Sequence, residues 1–257
     1  MGFPLIKPGL VSISFRDLSP EELLKEAASA GLKGIEWGGD VHVPHGDTAT
    51  AEAVASATMD AGLEIAAFGS YYRLGKKEDN PEFEAVLDSA VALKAPTLRV
   101  WAGPTGSADA DEDIWQRVTD DARRVCDLAA AQGVRICLEY HGGTLTDSID
   151  AAVRLLEEVP HPNLDTLWQP PNGQTDEHCE KSLRSVLPRV SNLHVFHWGM
   201  AGSGDRRPLS EGHDRWNRFF EIAQTPPRPR WALMEFVKDN SLEQLHTDAK
   251  TLHSILA

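Results

Sequence analysis

Ile136-Cys137-Leu138-Glu139-Tyr140-His141-Gly142-Gly143 carries the clearest strand signal in the chain. A short apolar run carries a carboxylate to its end, and a histidine and two glycines follow. That order reads as a buried strand stopping at a functional surface. Three later runs end in a similar way. Thr166-Leu167-Trp168-Gln169 runs into Pro170-Pro171, Leu193-His194-Val195-Phe196-His197 into Trp198-Gly199, and Trp231-Ala232-Leu233-Met234-Glu235 into Phe236. In a parallel barrel every strand's C-terminal end meets one mouth, so these distant residues would converge.

Outward from that stretch, short apolar runs alternate with amphipathic helical stretches over the whole length. Strands are expected at 10–15, 34–37, 63–68, 97–102, 136–139, 164–169, 193–197 and 231–236. Helices are expected near 19–30, 50–61, 80–93, 114–132, 147–158, 177–187, 216–223 and 242–256. The first has a complete start signal, with Ser19 as N-cap, Pro20 at the first helical position and Glu22 closing a capping box. Gly31, Gly62 and Gly133 punctuate helix ends. Eight strand–helix units without a composition break predict one (β/α)8 TIM barrel over residues 1–257. An open doubly wound sheet would show a glycine-rich phosphate turn early, whereas the first turn here is Phe15-Arg16-Asp17-Leu18.

The 257 residues suit a barrel of this type, typically about 250 residues long. The formal charge of −14, from 39 acidic and 25 basic residues, argues against nucleic acid and anionic membranes as partners. Cys126, Cys137 and Cys179 are odd in number and lack CxxC spacing, which suits reduced thiols in a cytoplasmic protein. No signal peptide is expected, and no apolar run approaches the ~18 residues of a membrane helix.

Glu139, Gln169, His197 and Glu235 at four successive strand ends form a candidate site for one divalent ion, Mn2+, Mg2+, Co2+ or Zn2+. Two carboxylates in one mouth repel unless a cation or proton lies between them. Oxygen ligands with one imidazole suit those ions in an open site. Singly, each residue has an ordinary reading as a solvated loop end or a satisfied core group. Asp165, four residues before Gln169, competes for the sixth-strand position. It would lie about 13 Å lower on the same face. His141 is expected either to reach substrate or to make a supporting hydrogen bond. Trp101 and Glu36 end strands at the same mouth as candidate substrate contacts, Trp101 walling an apolar face of the substrate or simply packing. Arg99 inside a barrel requires an acidic neighbour, so an ion pair is expected there. His42 and His45 are expected to be solvated.

These motifs resemble the sugar phosphate isomerase/epimerase family of xylose-isomerase-like TIM barrels. Leu138-Glu139-Tyr140-His141-Gly142-Gly143-Thr144 is similar to its fifth-strand motif, whose Glu binds metal. Phe196-His197-Trp198-Gly199 is similar to the place of its seventh-strand histidine, and Leu233-Met234-Glu235-Phe236 to its last-strand motif. Arg206, followed by Gly212 and Trp216, resembles a stretch where an Arg contacts substrate. The sixth strand departs from the family, carrying Gln169 where an Asp is usual. The resemblance implies a divalent-metal-dependent isomerase or epimerase of a small sugar-like hydroxy-carbonyl compound. Glu139 and Glu235 would exchange protons through an enediolate, and a homo-oligomer is compatible with this reading. A dehydratase or lyase of a keto-polyol on the same site is the alternative. An endonuclease-IV-like nuclease fits the negative charge poorly, and a non-catalytic sugar-binding barrel would need no metal. The loop 199–212, with four glycines and two arginines, is expected to be a flap over the mouth.

Overall fold

The structure is a computed structural model that describes residues 2–199, 201–202 and 204–257. Eight parallel strands close into a barrel, each paired with its neighbours in sequence and the last with the first. They are β1 (Ile6–Val11), β2 (Gly34–Gly38), β3 (Glu64–Arg73), β4 (Thr97–Trp101), β5 (Arg135–Glu139), β6 (Leu164–Trp168), β7 (Val190–Val195) and β8 (Arg230–Met234). The helices between them are α1 (Pro20–Ser29), α2 (Thr48–Asp60), α3 (Phe83–Ala92), α4 (Glu112–Ala131), α5 (Ile149–Glu158), α6 (Asp176–Val186), α7 (His213–Ala223) and α8 (Leu242–Leu256). The expected (β/α)8 architecture is therefore the observed one. Among the described residues no helix is long and apolar enough to cross a membrane.

Local chemistry explains the helix starts. The Ser19 Oγ accepts from the Glu22 amide at 3.3 Å, and the Glu22 carboxylate accepts from the Ser19 amide at 2.9 Å, which completes the capping box. Asp47, Asp111, Ser148, Thr175 and Ser241 cap five other helices through their side chains. Each satisfies an amide that a helix N-terminus leaves open.

Three strands differ from their sequence expectation, and one of them, β3, expected to end at Phe68, runs on to Arg73. β1 runs from Ile6 to Val11, and Ser12–Phe15 form a 3-10 turn. Lys7-Pro8-Gly9 hides the strand's first half, because Pro donates no ladder hydrogen bond and Gly weakens a strand. The turn after it is pinned by Ser12, whose Oγ accepts from the Gly38 amide at 2.8 Å. β7 starts three residues early, at Val190, and ends at Val195. Polar residues follow Val190 at its start, and the Ser191 hydroxyl lies 2.9 Å from Cys137 Sγ inside the barrel. His197 and Trp198 instead pair antiparallel with Arg207 and Arg206 in a small hairpin.

Most of the apolar core lies between the strands and the helices. A smaller cluster of Val11, Ala66 and Leu233, flanked by Ile13 and Trp231, fills the barrel interior below the mouth. Gly34 is required there, since a Cβ would stand 2.6 Å from the Trp231 ring. Asp165 belongs to the floor, with Arg228 Nη2 at 2.9 Å and Arg135 Nη1 at 3.4 Å. Gln169, at the other end of β6, faces the mouth. The alternative that put Asp165 in the site is thus removed by its position.

Candidate active site

The strands deliver six charged or polar side chains to the mouth: Glu36 from β2, Arg99 from β4, Glu139 from β5, Gln169 beyond β6, His194 from β7 and Glu235 beyond β8. All six are buried. Arg99 stands at the centre of their ion pairs. Its Nε donates to Glu36 Oε1 at 3.3 Å and its Nη1 to Glu139 Oε2 at 2.8 Å. The fit depends on Gly69 of β3, where a Cβ would lie 2.6 Å from Arg99 Nη2 and 2.8 Å from Glu36 Oε1. The ion pair expected for Arg99 is present.

Glu139 is held at both oxygens. Oε2 accepts from Arg99 and from the Trp101 indole N–H. Oε1 accepts from Gln169 Nε2 at 3.0 Å, and the same amide group donates to the Tyr140 carbonyl at 3.0 Å. Burial alone would raise the Glu139 carboxyl, but Arg99, with His194 and His141, outweighs it and holds it below its ordinary value. Glu36 follows the same pattern: burial raises it, while His194 and Arg99 bring it down. The Glu36 oxygens are both engaged, so this residue supports the site and does not line the cleft, contrary to the expected substrate contact.

His194 is the residue that sequence reading missed. Its Nε2 is 3.1 Å from Glu36 Oε2 and its Nδ1 is 3.0 Å from Glu235 Oε2. Burial disfavours its charged form, yet Glu235 and Glu36 pull it up to about 10. The expected histidine, His197, lies elsewhere. It follows the end of β7, packs against Gly212 and lines a neighbouring cleft with Asp176 and Arg215. Three residues apart on an extended chain, the two histidines face opposite ways. The signal was present in Asn192-Leu193-His194-Val195, a polar–apolar alternation that puts His194 on the inward face.

The cleft above this network encloses about 670 Å3. Glu139, His141, Gln169 and Arg206 line it, with Asp147, Trp198 and Phe236. His141 stacks on Trp101, with ring centroids 4.9 Å apart, and its Nδ1 is 2.6 Å from the Gly142 carbonyl. A carbonyl only accepts, so Nδ1 carries a proton. Arg206 donates to Asn240 Oδ1 at 2.7 Å and lies over the Phe236 ring at 5.2 Å. It has no carboxylate partner among the described residues, and is therefore free to hold an anionic or polar substrate group. Arg206→Ala is expected to raise KM roughly 10–100-fold, the worth of a charge-assisted contact. The melting temperature should move little. Unchanged KM and kcat in a variant that melts like the wild type would remove the substrate role. Met200 and Ser203, in the expected flap, lie outside the described residues. His42, expected in solvent, is buried, with its Nδ1 3.0 Å from Ser12 Oγ.

Among the described residues, no three His, Cys, Asp or Glu side chains are already gathered as a metal cluster. The donor chemistry nevertheless fits one ion. Gln169 Oε1, His194 Nδ1 and Glu235 Oε2 are buried atoms without a hydrogen bond. The last two are close, but off the line of a hydrogen bond. Buried polar atoms are rarely left open, and these three stand at consecutive strand ends. Glu36, Glu139 and Glu235 carry three negative charges against one on Arg99. A bound ion would displace the His194 proton, and with that imidazole neutral two negative charges remain, the charge of one divalent ion.

Comparison with known proteins agrees with this architecture. A 3-dehydroshikimate dehydratase of Bacillus anthracis is 27% identical over 96% of both chains. Among solved structures, a probable 3-DHS dehydratase, AsbF, of Bacillus anthracis superposes with a TM-score of 0.80 at 23% identity, covering 96% of this chain and 99% of that one. D-psicose 3-epimerase of Clostridium cellulolyticum H10 superposes at 0.70 with 14% identity, over 98% and 99%. At such identities the two structures speak for the fold alone. The description of the matching family model is "Xylose isomerase-like TIM barrel", and it spans residues 24–255, so the chain belongs to that family.

Proposed function

We propose that the protein is a divalent-metal-dependent dehydratase of a small hydroxy-ketone. The observation that carries this reading is the placement of Gln169 Oε1, His194 Nδ1 and Glu235 Oε2, each buried and without an aligned hydrogen bond among the described residues, at consecutive strand ends on the side of Glu139. Those four residues would hold the ion, with Glu36 turning His194 so that Nδ1 faces it, as carboxylate partners of ligating histidines do. When bound, the ion supplies a Lewis acid that polarises a substrate carbonyl and acidifies the adjacent C–H. The reaction class is supported by the similarity to 3-dehydroshikimate dehydratase over nearly the full length of both chains.

The protein groups divide the proton work. Glu139 is tied to Arg99 and Trp101, which keeps it ionised and fixed. Glu235 has no arginine on it and takes the proton from the carbon beside the carbonyl. His141 lines the cleft and delivers a proton to the hydroxyl that leaves from the next carbon, so the departing group is water. Arg206 orients the substrate. Epimerisation or isomerisation, the first expectation from sequence, shares the proton removal but returns the proton to carbon. Incubation in D2O with Mn2+ and either 3-dehydroshikimate or D-fructose separates the outcomes by NMR. A new carbon–carbon double bond with loss of water supports the dehydratase. Deuterium at the carbon beside the carbonyl, without loss of water, supports the isomerase instead. Neither change with any hydroxy-ketone would overturn both.

Gln169 tunes this site. Its amide donates to Glu139 and to the Tyr140 carbonyl, which an ionised Asp cannot do. Gln169→Asp therefore sets a further negative charge beside Glu139 and leaves the Tyr140 carbonyl unpaired. The metal-free variant is expected to melt lower, bind Mn2+ about tenfold or more tightly, and turn over more slowly. Unchanged metal affinity in a calorimetric titration would remove Gln169 from the ligand set.

A further inference from the structure

The cleft that holds Glu139 opens sideways into a second one of about 710 Å3. This second space lies between the loop after β6 and the start of α7, and it reaches His197, Ser210, His213 and Arg218. Pro170, Pro171, Asn172, Gln174, Phe196 and Trp198 line both spaces, which are therefore two lobes of one depression. Either lobe alone falls within the roughly 300–1,000 Å3 that hold a drug-sized ligand. A one-ring hydroxy-ketone seated against Glu139 in the first lobe would leave the second lobe open.

The junction between the lobes is aromatic. Ring centroids lie 4.6 Å apart for Phe196 and Trp198, 4.8 Å for Trp198 and Phe236, and 5.4 Å for Phe196 and Phe236. Phe236 has φ of 52°, a left-handed conformation that costs energy for a bulky residue. That strained residue follows Glu235 directly, so one backbone kink sends the carboxylate to the barrel centre and the ring to the cleft. Trp198 Nε1 is a buried donor without a partner among the described residues. In the second lobe the arginines are already spoken for. Arg215 Nε lies 2.8 Å from Asp176, and Arg218 pairs with Asp176 and Glu180. Around them stand the uncharged side chains Asn172, Gln174, Thr175 and Ser210 and the carboxylates Glu211 and Asp214. Aromatic faces beside hydroxyls, amides and carboxylates suit an uncharged, hydroxyl-bearing or aryl ring and repel an anion.

We propose that the second lobe is a subsite for an uncharged second ring, glycosyl or aryl, carried by the substrate and stacked against Trp198. This rests on the first lobe being the reacting site. Binding calorimetry on the Mn2+-loaded protein compares a one-ring probe, methyl β-D-glucopyranoside, with two-ring probes, phenyl β-D-glucopyranoside and methyl β-cellobioside. At least one two-ring probe is expected to bind about tenfold more tightly, and which one does separates an aryl from a glycosyl group. Trp198→Ala, which removes the platform, and His213→Trp, which fills the lobe from its exposed edge, should each cut that preference to about twofold or less. Their melting temperatures report that they fold. Equal or absent binding of one- and two-ring probes overturns the subsite, as does a preference that both variants keep. Because no turnover is read, a preference seen without any dehydration would remove the reaction and leave the subsite standing.

Discussion

His194→Ala is expected to lower the affinity for a divalent ion by about 100-fold or more and to abolish turnover, whereas His197→Ala should leave metal affinity within about twofold of wild type. The contrast follows from where β7 ends. His194 is fully buried on the inward face, with Glu36 at 3.1 Å on one nitrogen and an unpaired nitrogen on the side of Glu235. His197 stands beyond the strand, against Gly212 and outside the carboxylate cluster. Isothermal titration with Mn2+ of the two metal-free variants decides between them. The opposite ranking, with His197→Ala losing the ion, would return the ligand to the position first expected from the sequence.

Arg99→Met destabilises the metal-free protein by about 3–5 kcal/mol, the usual consequence of removing one partner from a buried charge network. At this chain length that corresponds to a melting temperature roughly 6–20 °C lower. The cause is specific. Without the guanidinium, Glu36 and Glu139 are two buried carboxylates, each deprived of a charged hydrogen bond. One of them must then take up a proton or be drawn toward solvent. Arg99→Met combined with Glu36→Gln should recover part of the loss, because it also removes one of the stranded charges. Arg99→Met melting like the wild type, with a coupling near zero in that double-mutant cycle, would show that the guanidinium does not compensate these carboxylates.

Much of this was legible in the sequence, for reasons that differ by residue. The eight-fold rhythm was readable because buried parallel strands are nearly continuous apolar runs closed by glycines and caps. Glu139 and Glu235 stood out as carboxylates finishing such runs, and Gln169 followed from strand length. Arg99 declared its need for a partner by sitting inside an apolar strand, and the structure supplies two. What remained hidden was register. β7 carries the polar Ser191 and Asn192 straight after Val190, so its start looked like a loop and its end was set too late. That displacement turned His197 inward on paper and His194 outward. β1 was misplaced for a related reason, since Pro8 and Gly9 do not look like a strand until Trp231 and Leu233 are seen packing beside them. Glu36 illustrates another limit. A carboxylate at a strand end looks like a substrate contact, and only the three-dimensional structure brings Arg99 and His194 to its two oxygens.

The most direct test of the proposed site is an anomalous-diffraction map of Mn2+-soaked crystals. The expected result is a single strong peak bonded to Glu139, Gln169, His194 Nδ1 and Glu235, with Glu36 still holding His194 Nε2. A peak coordinated by His197, or no ordered ion at the mouth at saturating Mn2+, would contradict it.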